Sequence, residues 1–466
     1  MSLSLVIAGC ATVPSNTAVQ RSLFTDASPV TVRPEVDRLI DVARAAVERR
    51  LRVDLAHVDV HVVDKDTMAD WHRRSVTRGF LSQFDQRHLD RLADDFVEER
   101  LDSVLAFYDE TDKVIVYDAV NVANYVASLA EAGVSERDAL LPLFIHEWVH
   151  AADDVRVDFS GLQAQYGGNN LAFSAVFEGH AELLAKTLCR QLDCEHGFAV
   201  AASSFRHRNR GYATLDVLPG RSGNSSTLRY LEGRRYLERM VRMPEGQALV
   251  EATLRQPPRD AVSIFAADPR PDTHREQQNQ ALQSALSRFE FPLKTGDWVQ
   301  FAGNPVDANA FPTNATRREQ VVSSRLRIVE GAAETVFYEQ SGDRLDPVEL
   351  RVTRTTSAET AQHFAAEAAS AFRRQSGSVV GASLSLRNLR AEQTEMSTAR
   401  HGVDGVMYEV SAHLYQRGER VGVLNFTATA SADYVFEVVS GVPVGMHAAA
   451  VRAGRAFLRD LVDGAA

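Results

Sequence analysis

Two apolar helical segments each carry ionisable residues on one face, and this constrains the chain more than any other feature. The first runs Ser135-Glu-Arg-Asp138-Ala-Leu-Leu-Pro142-Leu-Phe-Ile-His146-Glu147-Trp-Val-His150-Ala-Ala-Asp-Asp154. Ser135 and Asp138 form a candidate N-cap pair, and Pro142 implies that the helix either kinks or begins near Leu141. Four helical residues turn the chain by about 400°, so His146 and His150 project from one face, one turn apart. Two neutral imidazoles so placed can ligate one zinc ion. Glu147, about 100° further round, can flank the metal and act on its bound water. This is the H-E-x-x-H constellation, in which the metal lowers the water's pKa and the glutamate takes the proton. The second segment, Asn170 to Lys186, sets Glu178 and Glu182 on one face of an otherwise apolar helix. A carboxylate there is costly to bury unless paired or metal-bound, and three protein ligands plus water is the open coordination of hydrolytic zinc sites.

H-E-x-x-H followed about thirty residues later by a glutamate in an E-x-x-x-E frame resembles the gluzincin metallopeptidases typified by thermolysin. The resemblance implies a zincin-like, mainly helical catalytic domain with a small edge sheet and one Zn2+ ion. It makes Glu178 the third ligand and Glu182 the acid that orients His146. His180, two residues from Glu178 and on nearly the opposite helix face, is the competing ligand. More closely, His146-Glu-Trp-Val-His-Ala-Ala-Asp-Asp154 with Phe177-Glu-Gly-His-Ala-Glu182 resembles uncharacterised bacterial and archaeal zincin-like proteins, often lipoproteins, patterned H-E-L-T-H-A-L-Q-D and V-E-G-D-A. A Tyr-x-x-Gly-x-x-aromatic helix and a Pro-Pro segment follow in those proteins. Tyr230-Leu-Glu-Gly-Arg-Arg-Tyr236 and Gln256-Pro-Pro-Arg-Asp260 match them in part. His180 stands where Asp is usual, and the Ser-Thr continuation after Pro258 is missing.

A peptidase also needs a donor for the oxyanion of its tetrahedral intermediate. Tyr230, in the matched helix, is the candidate, with His207 as runner-up. Asp154 reads as a partner that orients the ligands, or otherwise as a solvated acid at the helix end.

The N-terminal run closing in Ile7-Ala8-Gly9-Cys10 resembles the lipobox of bacterial lipoproteins. That resemblance implies lipidation of Cys10, a tether from residue 11 to 30, and, with Ala11 following, the periplasmic face of the outer membrane. Cys189 and Cys194 remain as a pair. In an oxidising compartment they most simply form a local disulfide, free thiols or a metal site with His196 being the alternatives.

Elsewhere the periodicity is ordinary. Val36, Leu39, Ile40, Ala43 and Val47 recur at helical steps, and Val58 to Val63 alternates as a half-buried strand. A polar helical stretch is expected near 84–105. Ala106-Phe-Tyr and Val114-Ile-Val-Tyr117 flank charged turn residues as a β-hairpin, whose edge suits an extended peptide. After about Leu293 come loops at 295–297 and 303–314, strands at 348–353, 406–410 and 421–427, and helices at 358–374 and 446–461. The expected organisation is α+β: residues 1–30 a lipoprotein signal and tether, 31–292 a metallopeptidase domain, 293–466 an α+β accessory domain. With 62 acidic against 51 basic residues among 466, the net charge of −11 argues against a nucleic-acid partner. No apolar run reaches the roughly 18 residues a spanning helix needs, leaving the lipid as the membrane link. The expected function is zinc-dependent cleavage of a peptide or protein substrate. Amide hydrolysis in cell-wall peptide, or a non-catalytic envelope binding or assembly protein on the same scaffold, are the alternatives.

Overall fold

The computed structural model describes residues 34–80, 104–159, 161–162, 171–209, 227–258, 261–264, 273–289, 298–302, 329–339, 347–376, 389–393, 398–402, 405–416, 419–440 and 444–464. The fold is mixed α+β, in two compact units, one built chiefly from residues up to 257 and the other chiefly from Pro258 onward. The N-terminal tether with Cys10 and the loop readings at 295–297 and 303–314 lie outside the described residues. No described helix is long and apolar enough to cross a membrane.

The first unit contains α1 (Pro34–Leu51), β1 (Asp59–Val63), α2 (Lys65–Phe80), β2 (Ala106–Asp109), β3 (Val114–Asp118), α3 (Ala119–Ala130), α4 (Glu136–Val157), α5 (Leu171–Gln191) and α6 (Glu195–Asn209). A π-helical turn, Thr227–Glu232, then leads into α7 (Gly233–Val241) and α8 (Gly246–Arg255). Helix α1 begins on a proline, which suits a first helical turn, and buries Val36, Leu39, Ile40, Ala43 and Val47, the stripe its spacing selects. That stripe packs along α4 in one core with Leu140, Leu141, Phe144 and Trp148. The small sheet has the order β1-β3-β2, β1 parallel and β2 antiparallel to β3. Asp109 closes the hairpin turn by accepting from the backbone N–H groups of Thr111 and Asp112. The polar helix expected near 84–105 lies outside the described residues up to 103, and Val104 and Leu105 are buried and non-helical.

Helix α4 organises the unit. Ser135 Oγ accepts the backbone N–H of Asp138, and the helix is continuous from Glu136 through Pro142, so it does not begin near Leu141. Proline has no N–H to donate to the Asp138 carbonyl. That carbonyl faces α6 at Gly197, where a Cβ would stand 1.9 Å from its oxygen, so only glycine permits the approach. Every residue from Ala139 to Asp154 is buried, which explains why the segment reads as apolar on all sides. Cys189 and Cys194 are joined by a disulfide at the corner between α5 and α6, leaving His196 no thiolate with which to share a metal.

The second unit contains α9 (Ala261–Ile264), α10 (Thr273–Leu286), β4 (Trp298–Ala302), β5 (Val329–Glu339), β6 (Pro347–Thr355), α11 (Ala358–Ser376), β7 (Leu389–Gln393), β8 (Thr398–Gly402), β9 (Gly405–Gln416), β10 (Glu419–Ser431), β11 (Tyr434–Ser440) and α12 (Val444–Gly464). Its antiparallel sheet has the order β4-β5-β6-β11-β10-β9-β7, with β8 also on β9. Helix α11 covers one face through Phe364, Ala365 and Phe372 against Val410, Phe426 and Val435. Helices α10 and α12 cover the other, Leu282, Leu286, Ala450 and Leu458 meeting Ala333, Leu350 and Phe436. Sequence alone sets the domain boundary at 292/293. Helix α10 precedes that point, yet its Leu282 and Leu286 find their apolar partners on this sheet.

Candidate metal centre

His146 and His150 lie one turn apart on α4, and Glu178 reaches them from α5. Their ligating atoms form a nearly equilateral triangle. His146 Nε2 is 3.0 Å from His150 Nε2 and 3.1 Å from Glu178 Oε2, and the third edge, His150 Nε2 to Glu178 Oε2, is 3.4 Å. A tetrahedral ion with bonds of about 2.0–2.1 Å has ligand–ligand edges of roughly 3.3–3.4 Å, so the three atoms already stand near the span such an ion needs. All three residues are buried, at 1%, 0% and 0% exposure. Two imidazole nitrogens facing each other across 3.0 Å bring two lone pairs together unless a proton or a cation lies between them. Among the described residues this is the one group whose chemistry and spacing fit a metal ion.

The polar atoms around the triangle are incompletely satisfied. Among the described residues, Glu147 Oε2, Glu178 Oε1 and His150 Nδ1 are buried without hydrogen-bond partners. Glu147 does accept the backbone N–H of Tyr108, which places the β2 edge strand against the glutamate. Burial pushes the Glu147 carboxyl above its ordinary value; His146 and His150 oppose that shift and Glu178 adds to it. Burial also pushes Glu178 upward, but hydrogen bonds and charge from the two histidines outweigh it and hold the carboxyl at about 2. Glu178 is thus the anionic member of the triangle and Glu147 the more basic carboxylate beside it.

Comparison of the chain with protein-family profiles, curated proteins and solved structures returns no match.

Glu182, one turn after Glu178, brings Oε1 to 3.5 Å from His146 Nδ1, while its other oxygen lies 3.4 Å from Arg234 NH1. Tyr230 stacks obliquely near His146, ring centroids 5.8 Å apart. Both Tyr230 and Arg234 arrive through a close crossing of α5 and α7. A Cβ on Gly233 would stand 1.9 Å from the Ala175 carbonyl oxygen, and one on Gly179 would stand 2.2 Å from the Gly233 carbonyl carbon. The π-helical turn before Gly233 carries Tyr230, a local geometry that recurs at functional sites. His146, Glu182, Tyr230 and Arg234 line a partly open cleft, and His146 is the member of the triangle among its lining residues. Tyr125, Leu143, Phe198 and Leu231 supply apolar wall.

Asp154 is neither solvated nor bonded to a histidine. It accepts the Tyr108 hydroxyl at 2.8 Å, Lys113 Nζ and the Phe159 backbone N–H, fastening the end of α4 to the β2–β3 hairpin. Burial and then the Asp154 charge push the Tyr108 phenol up, so it stays a donor. His180 takes no place in the triangle; its Nδ1 lies 2.6 Å from Asp153 Oδ2. His207 lies on α6, and its side chain is outside the described residues. Sequence reasoning missed Arg234, Tyr108 and the Asp153–His180 pair. Only Arg234 left a signal, four residues after Tyr230 and thus one helical turn along.

Proposed function

We propose that this protein is a zinc-dependent metallopeptidase. The observation that carries the reading is the buried His146–His150–Glu178 triangle with Glu147 beside it and a partly open cleft reaching His146. The resemblance of these residues to the gluzincin pattern supports it. Zinc held by His146, His150 and Glu178 would supply Lewis acidity and a water of lowered pKa. Glu147 takes up a proton at Oε2 and passes it to the leaving nitrogen; its raised basicity and buried, unpartnered oxygen suit both steps. Glu182 orients the His146 ring, with Arg234 holding the carboxylate. Tyr230 donates its hydroxyl to the oxyanion. The apolar wall of the cleft receives a hydrophobic side chain of the peptide. Cys10 anchors the chain by a lipid to the periplasmic face of the outer membrane, the second unit serving as an accessory domain. Purified protein should hold one zinc per chain. Glu147→Gln should retain that zinc while losing about 10²–10⁴-fold in chelator-sensitive peptide hydrolysis. A wild type without stoichiometric zinc sinks the metal site. Zinc without cleavage of a broad peptide library leaves a binding or assembly protein on the same scaffold.

A further inference from the structure

Asp153 and His180 are buried outside the triangle, at 0% and 3% exposure. Asp153 lies three residues after His150 on α4, and His180 lies two residues after Glu178 on α5. Their contact, Nδ1 to Oδ2 at 2.6 Å, joins the two ligand-bearing helices without touching His146, His150 or Glu178. Facing a carboxylate, Nδ1 carries the hydrogen and donates. The other Asp153 oxygen accepts Arg156 NH1 at 3.2 Å, and Arg156 in turn donates to Glu251 on α8. A connected chain thus runs from α8 through Arg156 and Asp153 to His180.

Three consecutive residues set the rotation of α5 at this level. Glu178 faces the histidines, Gly179 is pressed against α7 at Gly233, and His180 is held by Asp153. Turning α5 by one residue, about 100°, would carry the Glu178 carboxylate off the triangle altogether. Before an ion arrives the histidines hold Glu178 through Oε2 alone, its Oε1 having no hydrogen-bond partner among the described residues, so a second restraint on the rotation of α5 counts. We propose that the His180–Asp153 hydrogen bond, braced by Arg156 and Glu251, is a positioning latch that pre-sets Glu178 for metal binding. His180 is a positioning residue: it acts on the centre only through the rotation of α5. This rests on the metal-site reading above.

The test measures zinc affinity by competition with a chromophoric chelator, together with the visible absorption of the cobalt-substituted protein, which reports coordination number and geometry. His180→Ala should weaken zinc by about ten- to a hundredfold, the range for lost support of a metal ligand, and change the cobalt spectrum. His180→Asn should restore both, because its amide nitrogen is bonded to Cγ as Nδ1 is and can still donate to Asp153. A merely structural pair would lower the melting temperature and leave affinity and spectrum alone, and that result overturns the latch. Failure of Asn to rescue overturns it equally. If His180→Ala does not fold, Arg156→Gln carries the test, since it frees Asp153 from its brace without removing the hydrogen bond; unchanged zinc affinity there overturns the proposal. A wild type that binds no zinc removes the metal-site reading and the latch together, whereas tight zinc in both wild type and His180→Ala removes the latch alone.

Discussion

Both units bury polar groups in their cores, but they treat them differently. In the second unit the imidazole of His447 is buried with Thr427 Oγ1 at 2.9 Å from one nitrogen and Ser440 Oγ at 2.8 Å from the other. Two hydroxyls can serve either neutral tautomer, so that site is closed within the protein. In the first unit two imidazoles and a carboxylate converge with their lone pairs toward one point, and Glu147 Oε2 and Glu178 Oε1 find no partner among the described residues. Buried polar groups in native folds are satisfied, so an unsatisfied cluster whose His146 lines a cleft marks a place where something else completes the set. Burial as such does not distinguish a site from a core; the direction of the donors and acceptors does.

The comparison breaks most sharply under chelation. If zinc occupies the triangle, at about a thousand times its dissociation constant it would stabilise the first unit by about 4 kcal/mol. Calorimetry with and without chelator should move the first unit's transition by about 10 °C and leave the second unit's in place. Equal shifts in both would mean that the two cores do not differ in this way.

Acid should then act on the second unit. Burial lowers His447 from its ordinary 6.5 to about 4. Above pH 6.5 the ring is neutral in both folded and unfolded chains, and its site is fully stable. As pH falls toward 4 the unfolded chain takes up a proton that the folded ring refuses. Stability therefore declines by on the order of 3 kcal/mol across that window. Denaturation at pH 7 and pH 4.5 should show His447→Gln with a flatter dependence than the wild type.

Gly233→Ala comes next. Its Cβ would meet the Ala175 carbonyl at 1.9 Å, so α5 and α7 must part, at a cost of about 2 kcal/mol. Because Tyr230 and Arg234 hang on that crossing, kcat/KM should fall further than the loss of folded protein explains. The smallest effect belongs to Arg190→Ala. Arg190 and Glu195 pair at 2.9 Å beside the disulfide, with both side chains more than half exposed. Urea denaturation should register less than about 0.5 kcal/mol. A larger loss would show that the charge at this corner matters as the buried ones do.

Sequence and structure part company where periodicity fails. The α1 stripe was legible because one face is buried and the other wet. Strand β11 was not, since helices cover both faces of its sheet and all seven of its residues are buried. A strand buried on both sides loses the period-2 signal. The Asp154 contacts show the same limit for polar residues. Its bonds go to Tyr108 and Lys113, more than forty positions earlier, a distance in sequence that no local pattern spans.

By itself the sequence determined which residues can ligate: H-E-x-x-H on one helix and a carboxylate pair on the next, because helical spacing is a local property that four or five residues fully specify. It left a Cys189–Cys194 disulfide open against free thiols or a metal site with His196, and the structure joins the two. Only the tertiary structure decided how far apart the ligand atoms stand, that Arg234 and Tyr230 join them, that Asp154 serves the hairpin instead of a histidine, and that His180 answers to Asp153. Those facts depend on how the helices pack, α5 against α7 through Gly179 and Gly233 and α6 against α4 through Gly197, contacts between residues that the chain keeps far apart.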